Sequence, residues 1–102
     1  MSAERIRTAL RTRFSVNGSR GAGNIVNLSE GGLFVRTRQL PRAGQSIRLA
    51  FAAPGVGRIA VSGLVWWTTA DTPSGRIGPS GFGLRLLDEP EEYTRLLQSL
   101  RH

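Results

Sequence analysis

The sequence predicts an all-β protein: a six-stranded antiparallel barrel followed by one C-terminal α-helix. Three observations lead there. Short apolar runs recur at regular spacing, with glycine, proline, asparagine or aspartate between them. The dipeptide Asn17-Gly18 is a two-residue hairpin signal, because both residues tolerate positive φ. Helical spacing occurs only near the C-terminus, where Tyr93, Leu96, Leu97 and Leu100 fall at i, i+3, i+4 and i+7.

Residues 1–11 carry Arg5, Arg7 and Arg11 and read as a flexible or weakly helical arginine-rich arm. The barrel and helix are expected over residues 12–102. The first strand is placed at 12–16 and the second, after the Asn17-Gly18 turn, at 22–27. A corner made of Asn27-Leu28-Ser29-Glu30-Gly31-Gly32 leads into a third strand at 33–37. Pro41-Arg42-Ala43-Gly44 forms a turn. The fourth strand spans 46–52, with Ile47, Leu49 and Phe51 on one face and Arg48 on the other. Pro54-Gly55-Val56-Gly57 is a hairpin loop, and a longer strand follows at 58–68. Gly63 inside that strand points to a bulge or bend, and the adjacent Trp66 and Trp67 are expected on opposite sheet faces. Residues 71–80 are expected to form a mobile loop and 81–87 the last strand. Pro90 in the first turn, followed by Glu91 and Glu92 at the positive end of the dipole, starts the helix.

A chain of 102 residues is expected to form one domain, large enough to bury a core without staples. It has no cysteine, which fits a reducing cytoplasm, and no apolar run approaching membrane-spanning length. The opening residues lead into no apolar signal core, so a cytoplasmic location with no membrane association is expected. The net charge is +7, and all fourteen basic residues are arginine. Residues 1–60 hold ten of them against Glu4 and Glu30, so the positive field belongs to the N-terminal part. Arginine's planar fork grips phosphate bidentately and stacks on bases.

Catalysis is not expected. The single histidine is the terminal His102, and the carboxylates cluster at the start of the helix. No Ser-His pairing, metal-ligand spacing or phosphate-loop fingerprint is present, so neither metal nor cofactor is expected. Binding is better supported. Arg7 and Arg11 are four residues apart, so a helical turn would place them on one face. Two guanidinium groups can hold a phosphate or the O6/N7 edge of guanine. Asn27 and Ser29, two apart on an extended strand, point the same way and can bond a base edge. Gly32 allows close backbone approach or a positive φ.

Arg7-Thr8-Ala9-Leu10-Arg11 and Asn27-Leu28-Ser29-Glu30-Gly31-Gly32 together resemble the two signature motifs of the PilZ domain, a family of bacterial cyclic di-GMP receptors. The resemblance continues through Leu33 to Thr37, Gly44, Val65-Trp66 and Gly81-Phe82-Gly83-Leu84-Arg85, and so covers nearly the whole chain. It implies a PilZ-type barrel that binds cyclic di-GMP and relays its level to an unidentified protein target in motility, polysaccharide or biofilm control. In that reading Arg7 and Arg11 clasp phosphates and guanine edges, Asn27 and Ser29 bond a guanine, and Gly32 shapes the turn. Trp66 packs on a base or serves as a barrel aromatic; Gly31 and Arg36 are additional candidates. A second register puts Arg13 in the place of the second arginine and Ala9 in that of the first. Two other readings stay open: a PilZ-type adaptor working by protein contact without nucleotide, and a small basic nucleic-acid-binding barrel whose tryptophans stack on bases.

Overall fold

The computed structural model describes residues 4–71 and 80–101. It contains six strands, β1 (Ile6–Val16), β2 (Ser19–Ser29), β3 (Gly32–Arg36), β4 (Ser46–Ala53), β5 (Gly57–Thr68) and β6 (Gly81–Leu86), and one helix, α1 (Glu91–Leu100). All neighbours are antiparallel, and pairing of β1 with β4 closes the sheet in the order β1-β2-β3-β6-β5-β4. The closing ladder joins Thr12–Ser15 of β1 to β4, while the first half of β1 pairs with β2 alone.

Alternation builds the interior. Phe14, Ile47, Leu49, Phe51, Ile59, Val61 and Val65 point inward and are buried. Phe14 meets Phe82 edge-on across the core, with centroids 5.3 Å apart and planes at 78°. The inward-facing Thr12 remains satisfied, because its Oγ1 donates to the carbonyl of Ala50 at 2.9 Å. At the first turn, Asn17 (φ 50°) and Gly18 (φ 80°) both take the left-handed conformation the hairpin requires.

Four expectations are corrected. First, residues 6–11 are not an arm or helix; they form the first half of an 11-residue strand. Ile6, Thr8 and Leu10 turn partly inward while Arg7, Ala9 and Arg11 stay exposed, which is strand alternation. Secondly, the irregularity in β5 lies between Val65 and Trp67, not at Gly63. Gly63 instead sits where a Cβ would lie 2.5 Å from the carbonyl of Arg85, so the close approach of β6 demands glycine. Thirdly, that bulge turns Trp66 and Trp67 both outward, leaving them 65% and 40% exposed. Fourthly, Pro90 is the N-cap rather than an early helical residue, and Leu100 is exposed instead of packed. The loop expected at 71–80 falls largely outside the described residues, as does His102.

Helix α1 buries Tyr93, Leu96 and Leu97 as part of the barrel's apolar core. Tyr93 is fully buried and reaches the turn between β2 and β3: its hydroxyl donates toward the carbonyl of Ser29 at 2.8 Å and that of Gly32 at 3.1 Å. Burial, and secondarily the charge of Glu89, push the Tyr93 phenol above its ordinary range. A folded-state pKa above the unfolded value means stability that is complete below about pH 10 and declines as pH rises further. Tyr93→Phe should therefore cost about 1–2 kcal/mol in chemical denaturation at neutral pH. It should also flatten the loss of stability that the parent protein shows above about pH 10.

Candidate functional site

The corner between β2 and β3 is a two-residue turn. Ser29 pairs with Gly32, and Glu30 and Gly31 lie outside the ladder. Gly31 has φ 83°, a left-handed conformation that costs a side chain about 1–2 kcal/mol. Its carbonyl accepts from the amide of Leu86 at 2.8 Å, which ties the corner to the end of β6. Gly32 faces Arg85 directly in the ladder, and a Cβ on Gly32 would lie 2.9 Å from the carbonyl of Leu84. Ser29 is buried, its hydroxyl turned back toward the carbonyl of Gly32 at 3.3 Å.

Beside this corner lies an open cleft of about 330 Å³. Ser29, Gly31 and Gly32 form one wall and Trp66 and Arg85 another, with Arg5 at the mouth. The Arg85 guanidinium lies 5.0 Å from the centroid of the Trp66 ring, a cation–π contact that pre-positions both groups. Arg5 donates from Nη1 to Asn27 Oδ1 at 2.9 Å. Glu30, the acid of this wall, is bonded by Arg101 Nη2 at 3.2 Å, and Glu4 lies 3.9 Å from the same guanidinium. The negative charge near the cleft is thus offset, while Arg5 and Arg85 form no ion pair among the described residues.

The sheet register places the remaining candidates. A bulge in β2 between Ile25 and Asn27 carries Asn27 onto the outer surface opposite Phe34. Arg7 pairs with Asn27, so their side chains leave the sheet side by side. Arg7 does not line the cleft, but it borders the wall that does. Arg11 pairs with Asn24, which pairs with Arg36, so those two arginines share an outer row beyond it. Arg13 pairs with Ala22 and Ala50 and lines a different concavity. The structure therefore groups Ser29, Gly31, Gly32 and Trp66 around the cleft, sets Asn27 and its neighbour Arg7 beside it with Asn27 linked to it through Arg5, and places Arg11, Arg36 and Arg13 farther off. Arg5 and Arg85 are additions that the sequence reading did not select. Arg85 stands in a stretch already notable for its glycines, but only the pairing with Gly32 reveals its position.

Trp67 lies at the back of the cleft, over Gly83. Its ring stacks on Phe34 with centroids 5.2 Å apart and planes at 25°. Gly83 sits between these two residues in the sheet, and a Cβ there would meet Trp67 Nε1 at 2.5 Å.

The fold is thus a closed six-stranded antiparallel barrel with a helix locked to an Asn-x-Ser-x-x-Gly corner. The PilZ domain family model matches residues 1–101, and the chain belongs to that family. Among solved structures it resembles the Bacillus subtilis inhibitor of motility, MotI/DgrA, with TM-score 0.78 and 19% identity over 99% of this chain. The chain spans about half of that protein, 49% of its length. It also resembles the PilZ domain of YcgR from Escherichia coli, determined with c-di-GMP, with TM-score 0.73 and 15% identity over 99% of this chain and 91% of that one. No curated protein matches the chain.

Gly83→Ala should displace the Trp67 indole from Phe34 and destabilise the fold by about 1–3 kcal/mol. In a Trp66→Phe background, where Trp67 is the sole tryptophan, the emission maximum should shift to the red. Unchanged emission and stability would show that the indole does not rest on Gly83.

Proposed function

We propose that this protein is a cytoplasmic cyclic di-GMP receptor that relays second-messenger level to a protein target in motility, polysaccharide or biofilm control. The observation that carries the reading is the convergence of the Asn27–Gly32 corner with Arg5, Arg85 and Trp66 around one cleft. A cyclic dinucleotide of guanine needs cations for its phosphodiesters, donors for O6 and N7, and a flat surface for its bases. Arg5 and Arg85 supply charge and bidentate donors. Asn27 and Ser29 supply polar edges, and Trp66, already held by Arg85, supplies a face for stacking. Arg7 adds charge beside Asn27.

The mechanism begins with an exchange of partners. Arg5 leaves Asn27 for a phosphate, which frees the Asn27 amide to bond guanine. Because Arg5 lies just before β1, its movement alters the surface beside the cleft that is offered to the target. Arg7 and Arg11 already belong to β1 and keep their places. No step requires bond cleavage, a metal or a cofactor.

Isothermal titration with cyclic di-GMP tests the reading. Arg5→Ala and Arg85→Ala should each weaken binding about tenfold or more, as loss of charge-assisted hydrogen bonds implies. Arg13→Ala should leave affinity unchanged. Absence of heat with protein at tens of micromolar would overturn the reading and favour the adaptor that works without nucleotide.

A further inference from the structure

A second basic concavity lies on the outer surface of β1, β4 and β5, lined by residues separate from the cleft above. It encloses about 570 Å³. Cross-strand pairing builds it. One row runs Arg20, Ser15, Arg48, Ser62, and the next runs Arg13, Ala50, Ala60. Arg58, paired with Ala52, closes a further side. Four guanidinium groups therefore rim a floor of alanine and serine side chains, where a partner can come close to the sheet. None of the four takes part in a side-chain hydrogen bond or ion pair among the described residues.

We propose that this basin docks an acidic segment of a partner protein, which presents several aspartate or glutamate side chains to Arg13, Arg20, Arg48 and Arg58. Charge complementarity sets the sign of the partner. Two features select protein over nucleic acid. The one aromatic residue that lines the basin, Phe14, keeps its ring buried against Phe82 in the core, so no aromatic face is offered to bases, whereas single-stranded nucleic acid is held largely by stacking. Asp88 also lines it, just past the end of β6, where the amide of Leu87 bonds the carbonyl of Ser62 in β5. A polyphosphate is repelled by that carboxylate, while a peptide carrying one basic residue among its acids pairs with it. The inference does not depend on nucleotide binding at the cleft.

The test is amide-resolved NMR titration of the full chain with a synthetic peptide alternating pairs of glutamate and alanine, and in parallel with an oligothymidylate of matched charge. The peptide should shift amides within 13–15, 48–50 and 58–62. Arg48→Glu/Arg58→Glu should weaken it at least about tenfold, while Arg42→Glu/Arg95→Glu, of equal charge change, should weaken it less than about threefold. Should the first pair fail to fold, Arg48→Gln/Arg58→Gln set against Arg42→Gln/Arg95→Gln provides the comparison at equal charge change. Equal losses in both pairs, or shifts scattered over all exposed arginines, would reduce the basin to net charge and overturn the proposal. Tighter binding of the oligothymidylate at the same amides would replace the acidic protein with nucleic acid.

Discussion

The Tyr93 hydroxyl, donating to the backbone of Ser29 and Gly32, is the contact on which the site depends. It joins the helix to the corner between β2 and β3 across 61 or more residues of sequence. The corner is held from the other side by the amide of Leu86 on the carbonyl of Gly31. A two-residue turn with a left-handed glycine is thereby fixed from two directions, and Arg85 is fixed with it as the cross-strand partner of Gly32. The buried phenol is costly to ionise and has its polar atom satisfied, so the same group that completes the core also sets the corner.

Irregularities in the barrel decide what reaches the surface there. Regular alternation would send one of Trp66 and Trp67 into the core. The bulge in β5 turns both outward, one toward Arg85 and the other onto Phe34. A second bulge in β2 sets Asn27 on the outer face beside Arg7. Without the two bulges one tryptophan would enter the core and this surface cluster would be lost.

Much of the architecture was legible in the sequence. Alternation of Ile47, Leu49 and Phe51, the Asn17-Gly18 turn and the Tyr93, Leu96, Leu97 stripe all report local geometry, and all appear in the fold. The start of β1 was obscured by its arginines, although Ile6, Thr8 and Leu10 alternate with them. The corner was legible because its turn chemistry is local. Arg5 and Arg85 were not, because their places depend on contacts with residues 27 and 66, and no spacing rule encodes a cross-barrel neighbour. The bulge at Trp66 was missed for a related reason: period two holds only while the register does.

The distribution of arginine gives the molecule two basic surfaces with different chemistry. One has an aromatic face, a polar corner and an acid already offset by Arg101; the other has a small-residue floor and four guanidinium groups without an ion-pair partner among the described residues. In the proposed function the first takes a stacked guanine dinucleotide, and in the proposed docking the second takes carboxylates. The most direct measurement is amide and indole NMR of the labelled protein titrated with cyclic di-GMP. The account predicts shifts at 29–32, at Arg85 and at the Trp66 indole, with 48–50 and 58–62 unmoved. Shifts confined to that second basin, or none at all, would contradict it.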